Sequence, residues 1–322
     1  MRTALSLLSV AALALAGCDT LPVSAVPADG DAGPLLAEAQ PAAPAADDDA
    51  LTKFYARAER ELIAAGRMRT DVAPADAPVT LDALVETFVR VALYDEFAVA
   101  SGRFVPSQSP SRLRRWETPV RIGLVFGNSV GSAQIADDAR AVSSFARRLS
   151  SISGHPVTMT EGTDANFTVL FLNRAEQRAF GEDIALSMPE IPDAVVNAFR
   201  DSPPEAFCVA YTFGSAASTD TYVSALILVK AEHRGLMRLS CIHEEIAQAM
   251  GLANDSPDAR PSIFNDDEEF ALLTRHDEIL LRMLYDRRLR PGMTEAEARP
   301  LLGRIAAEAA ASLGVSLKQD GV

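Results

Sequence analysis

The segment His243-Glu244-Glu245-Ile246-Ala247-Gln248-Ala249-Met250-Gly251-Leu252-Ala253-Asn254-Asp255 gathers the residue types that could do chemistry. A His-Glu pair at the head of a helix is the first half of a zinc-hydrolase site. There, two imidazoles four residues apart hold the ion and the glutamate takes a proton from bound water. The residue four after His243 is Ala247, so His243 has no partner imidazole. At about 100 degrees per residue, Leu239, Ile242, Ile246, Ala249 and Met250 fall on one side of the helix, the side that packs on a sheet. Glu244 and Gln248 stack opposite, Glu245 flanks them, and His243 lies near the edge of the apolar side. Glu244 and Glu245 diverge by about 100 degrees, which does not suit two carboxylates acting across one glycosidic bond.

Other reactive patterns are missing from the sequence. There is no G-x-S-x-G nucleophile turn and no glycine-rich phosphate loop. His155, His233 and His276 are isolated, and a lone histidine is more often a surface or capping residue than a ligand. The acidic run Asp266-Asp267-Glu268-Glu269 lacks the spaced ligands of a calcium loop and reads as a solvated face.

These residues need a scaffold, and the chain of 322 residues, 48% hydrophobic, can build one large domain or two modest ones. Its 44 Asp and Glu against 30 Lys and Arg leave a net charge of -14, which argues against a nucleic-acid partner. Arg112, Arg114 and Arg115 on that background read as a solvated or salt-bridged face. The start, "MRTALSLLSVAALALAGC", has a basic residue, an apolar stretch too short to span a bilayer, and small residues before a cysteine. Leu15-Ala16-Gly17-Cys18 resembles the bacterial lipobox. This implies a signal peptide over 1–17, acylation of Cys18, membrane attachment through that lipid, and a globular part in the periplasm. In an oxidising compartment Cys208 and Cys241 are disulfide candidates; two separate buried thiols are the alternative.

Residues 18–49, rich in Ala, Pro, Asp and Gly, read as a disordered tether. Residues 50–117 read as a helical extension, with one helix from about Ala50 to Met68 and a second capped by Thr80 and running to about Ala98. Trp116 is expected in a core or at a junction. From residue 118 onward the signals give strand, helix, strand, strand, strand, strand, helix: "VRIGLVF", Ser132 to Ser151, "HPVTMTE", "FTVLFL", "CVAYTF", "YVSALILV", and the quoted helix, with a helical insertion around Ile191 to Phe199. Residues 294–313 form an amphipathic C-terminal helix with a capping box at Thr294 and Glu297 and a possible kink at Pro300.

Shifted by one residue, Glu244 to Ser256 resembles the metzincin signature H-E-x-x-H-x-x-G-x-x-H. Its glutamate falls on Glu245, its turn glycine on Gly251, and its three zinc ligands on Glu244, Gln248 and Asn254. "PSIFND" sits where metzincins have the Met-turn, with Phe264 in place of methionine, and "LTRHDEILLRMLYD" resembles their closing helix. The resemblance, over roughly residues 118–290, implies a zincin-like α+β fold. It would have a mixed sheet, an active-site-type helix and a C-terminal helical subdomain, preceded by two N-terminal helices. The domain over 118–322 is then a degenerate metzincin. The stretch "HEEIAQAMGLANDSPDARPSIFNDDEEFALLTRHDEILLRMLYDRRLRPGM" is also similar to the proteobacterial lipoproteins of the domain of unknown function numbered 2927.

Gln248 and Asn254 offer neutral amide oxygens and Glu244 one carboxylate, a poor set for zinc, which prefers imidazole and thiolate. Calcium accepts oxygen ligands but wants about 6 to 8 of them and more charge than one carboxylate brings. No metal and no other cofactor is therefore expected. Three functions follow as expectations. The first is a non-catalytic module binding an envelope peptide or protein along the edge strand near "CVAYTF". The second is a hydrolase using Glu245 with an unusual metal, and the third is an assembly lipoprotein with nothing in the cleft.

Overall fold

The structure is a computed structural model; it describes residues 19–26, 46–100, 103–187, 191–215 and 217–318. The signal segment, Cys18 and most of the tether lie outside the described residues. The elements run β1 (Asp19–Val26), α1 (Ala46–Ala64), α2 (Leu81–Leu93), β2 (Tyr94–Ala100), β3 (Arg103–Pro110), β4 (Arg115–Trp116), β5 (Val120–Phe126), α3 (Ser132–Ser153), β6 (Val157–Met159) and β7 (Phe167–Leu172). They continue with α4 (Arg174–Ser187), α5 (Asp193–Arg200), β8 (Cys208–Ser215), β9 (Ser218–Lys230), α6 (Gly235–Gln248), α7 (Arg275–Leu284) and α8 (Glu295–Ser312). The fold is α+β. The main sheet has the order β1-β8-β9-β7-β5-β6, with β4 alongside β9, and β2 and β3 form a separate hairpin. All its pairings are parallel except β8 with β9.

The near-continuous apolar runs in β7, β8 and β9 follow from burial on both faces. Phe167, Val169 and Phe171 of β7, Cys208 and Ala210 of β8, and Ala225, Ile227 and Val229 of β9 join the large core with α2, α3, α6, α7 and α8. The alternate residues Leu170, Leu172, Val209, Tyr211, Phe213 and Leu228 pack on the other side against Ile184, Val195, Val196 and Phe199 of α4 and α5.

Three details depart from the sequence reading. The second helix stops at Leu93 and the chain turns into β2, because residues 94–110 pair with themselves as a hairpin. An extra helix, α4, follows β7. And β8 is not an edge strand: β1, from the stretch read as tether, pairs with it in parallel from Asp19↔Val209 to Val26↔Ser215.

Cys208, the first residue of β8, is disulfide-bonded to Cys241 in the middle of α6 across a sequence separation of 33. Replacing both cysteines by alanine is expected to lower stability by about 3 to 4 kcal/mol, the loop-closure value for that separation. Denaturant unfolding under oxidising conditions, compared with wild type, measures it.

Candidate functional site

Helix α6 carries the residues singled out above, and its two ends are held by other parts of the chain. No side chain of its own caps the N-terminus. Instead Glu59 of α1 accepts hydrogen bonds from the Leu236 and Met237 N–H groups at 3.4 and 3.2 Å, placing a carboxylate at the positive end of the helix. At the C-terminus the Trp116 indole donates to the Ala249 carbonyl at 2.9 Å and the Tyr285 hydroxyl to the Met250 carbonyl at 2.9 Å. Trp116 is fully buried against Phe167 and Tyr222, in the core position expected of it. In the first turn, Arg238 forms a buried ion pair with Asp138 of α3 at 2.6 Å.

Gly251 then turns the chain. Its φ is +125°, and a Cβ there would lie 2.3 Å from the Arg114 carbonyl oxygen, so only glycine fits. The turn carries residues 252–256 back beneath the end of α2. There the Asn254 N–H donates to the Val91 carbonyl at 3.1 Å, and its side-chain Nδ2 donates to the Arg90 carbonyl at 2.8 Å. Asn254 thus satisfies two of the last carbonyls of α2.

The face of α6 bearing Glu244, Glu245 and Gln248 is closed to solvent: Glu244 is 5% exposed, Glu245 and Gln248 0%. Gln248 Nε2 donates to Asp255 at 2.8 Å, which ties the helix to the returning loop. The Asp255 carboxyl is held well above the usual carboxylate range, first by burial, then by the charges of Glu244, Glu96 and Asp266, with the Gln248 bond opposing. Gln248 Oε1 and Asn254 Oδ1 are buried and meet no donor among the described residues. Gln248 and Asp255 are thus joined directly and Glu244 acts on the same carboxyl, while the Asn254 amide nitrogen is directed at α2. Sequence reasoning passed over Asp255 and Glu96. The first was given no role within the signature and the second fell inside the second helix, and nothing local links positions so far apart in the chain.

His243 is turned away from this cluster. Its ring stacks on Phe145 of α3 at 4.2 Å between centroids, its Nδ1 accepts from the Leu273 N–H at 3.3 Å, and burial lowers its pKa to about 3. His276 is fully buried in the first turn of α7, not at the surface. His233 is also buried, its Nε2 at 2.6 Å from the Phe207 carbonyl oxygen. Phe264 is fully buried, and its loop is fixed by Asp277, which accepts from Ser262 Oγ at 2.5 Å and from the Ile263 N–H at 3.2 Å while capping α7 with Thr274. The acidic run is not uniformly solvated. Glu269 is paired with Arg69 and Arg260, and Glu268 is buried at a positive φ of 58°, its pKa raised to about 7 first by burial and then by Asp267. Two of the three arginines are salt-bridged, Arg114 with Asp95 and Arg115 with Glu117, while Arg112 donates to the Gly292 carbonyl at 2.8 Å.

Among the described residues, no three His, Cys, Asp or Glu side chains are grouped so as to hold a metal ion. The donor set does not fit zinc: Gln248 and Asn254 each spend an amide nitrogen on a structural bond and offer only a neutral oxygen. An open cleft of about 650 Å³ is lined by residues that include Asp95, Arg112, Arg114, Asp220, Glu295 and Arg299. No helix among the described residues is long and apolar enough to cross a membrane.

Fold and site define an α+β domain built around a buried polar helix face. Residues 82–304 match the family described as protein of unknown function (DUF2927), more than half of the chain, and the chain belongs to that family. No curated protein and no solved structure matches it.

Two measurements check this description. Gly251→Ala is expected to destabilise the fold by about 1 to 3 kcal/mol from backbone conformation alone, and by more if the Arg114 backbone cannot move aside; denaturant titration reads it. Glu268→Gln tests the buried carboxyl. With a folded pKa of about 7 against an ordinary 4.5, wild type loses stability as pH rises through that window, because the unfolded chain releases the proton first. Thermal unfolding from acid to mildly alkaline pH should show the variant gaining on wild type across that window and keeping the gain above it.

Proposed function

We propose that the chain is a cell-envelope lipoprotein, anchored through an acylated Cys18 with its folded part in the periplasm. It is a non-catalytic binding or assembly module on a zincin-like scaffold whose zinc positions have been given over to structure. The observation that carries this reading is the role of Asn254, at the third ligand position of the metzincin signature. Its amide nitrogen and its N–H are both committed to the carbonyls of Arg90 and Val91, so α2 occupies the ground where a substrate would approach. Glu245, at the position of the catalytic glutamate, is fully buried, and a general base must come within hydrogen-bond reach of the water it activates.

A partner on this scaffold has to use another surface than the outer side of β8, which β1 covers. The cleft beside Arg112, Arg114 and Arg299 is of the size that holds peptides and small ligands, with charges of both signs around its rim. An envelope peptide or protein partner is the class proposed.

The test pairs metal analysis of the purified chain with a peptide-hydrolysis screen of wild type and Glu245→Ala. The expected result is substoichiometric zinc and no cleavage that depends on Glu245. Stoichiometric zinc with Glu245-dependent cleavage would instead establish the hydrolase. Anchoring is checked separately: Cys18→Ala should release the chain from the membrane fraction and remove the acyl mass from its N-terminal peptide.

A further inference from the structure

The register of the main sheet fixes where β1 begins relative to every other strand around it. Asp19 lies beside Val209, Val209 beside Leu228, Leu228 beside Leu170 and Leu170 beside Val125, so one row crosses β1, β8, β9, β7 and β5. Strands β5, β7 and β9 are parallel to one another, and β8, with β1 beside it, runs the other way. The row is therefore where β1 and β8 start and where the other three strands finish. Cys18, the residue proposed to carry the lipid, is one peptide bond from Asp19, and consecutive Cα atoms are about 3.8 Å apart. No slack is left between the sheet and the anchor.

We propose that the edge of the fold where β5, β7 and β9 end lies against the membrane and binds anionic lipid headgroups. The inference rests on the anchoring reading above and names the surface that meets the bilayer. Three elements bring cations to this edge. Arg178 is in α4, which starts directly after β7; Arg234 is the N-cap of α6, shortly after β9; and Arg60 follows Glu59, whose carboxylate reaches the first N–H groups of α6. All three are exposed, and none is held in an ion pair among the described residues. Glu205, exposed in the loop before β8, is an opposing charge. Helices α3, α4 and α6 all start at this edge, so the positive ends of their dipoles lie there too. Each basic residue near an anionic surface favours binding by about fivefold, whereas a chain of net charge -14 is repelled by such lipids elsewhere on its surface. Covalent attachment and charge thus select the same edge. Asp220, which lines the open cleft, lies near the other end of β9, about 30 Å along the strand from Lys230, so the cleft is held well away from the lipid.

The test places the full acylated chain in vesicles of phosphatidylcholine and phosphatidylglycerol whose headgroups carry an energy-transfer acceptor. A donor dye is attached to Ala175→Cys, exposed in the first turn of α4, or to Thr219→Cys, exposed at the start of β9. Cys208 and Cys241 are joined to each other and do not take the dye. The 13 residues of β9 run about 40 Å, which separates the two labels clearly. Transfer should be several-fold stronger from position 175 than from position 219. Arg178→Glu combined with Arg234→Glu should lower the transfer from position 175 at low salt and change nothing in vesicles of phosphatidylcholine alone. Equal transfer from the two positions, or stronger transfer from 219, in a chain that floats with the vesicles overturns this inference and leaves the anchor standing. A charge-reversed variant with undiminished transfer from position 175 overturns the headgroup contact. A chain that bears no acyl group and does not float overturns the anchoring reading, and this inference with it.

Discussion

The backbone of residues 114–116 passes so close to the end of α6 that nothing larger than hydrogen fits on Gly251, and this contact sets the course of the chain beyond it. The Arg114 carbonyl, the Trp116 indole on Ala249 and the Tyr285 hydroxyl on Met250 together fix where the helix stops and in which direction the chain leaves. From there the next residues have one route, back beneath α2. Asn254 meets the carbonyls of Arg90 and Val91 only because of that route, and Asp255 meets Gln248 for the same reason. A glycine at the end of a helix commonly serves the local backbone; here it serves a long-range contact as well.

The consequence is a polar helix face sealed inside the protein. Burial strengthens the effect of neighbouring charges, so Asp255 feels Glu244, Glu96 and Asp266 more than it would on a surface. The α6 helix can bear this because it is secured elsewhere: by a disulfide to β8, by the Arg238–Asp138 pair to α3, and by Glu59 at its N-terminus. The N-terminal helices are thus part of the same unit as the sheet. Helix α1 caps α6, and α2 lends its C-terminal carbonyls to the loop that follows α6.

Much of the framework was legible in the sequence. The helix spacing of Ser132 to Ser151, the apolar runs of β7 to β9 and, α4 aside, the order of strands and helices after residue 118 follow from periodicity, which reports burial directly. The hairpin of β2 and β3 was not legible, since "YDEFAVA" continues a helical pattern and only its pairing with residues 103–110 makes it a strand. Nor was β1, whose composition offers no period and whose extended shape depends on the open side of β8.

For the site, the sequence alone determined which atoms were on hand: oxygens at Glu244, Gln248 and Asn254, no second imidazole near His243, and a glycine where the chain must turn. Those are properties of residue type and short spacing, and helix geometry carries them without help. Only the tertiary structure decided that this polar face is buried, that Asn254 caps α2, and that Asp255 and Glu96 belong with Gln248. Each of these depends on segments brought together across many residues, and the energy of a buried charge is set by what surrounds it in space, which no local pattern encodes.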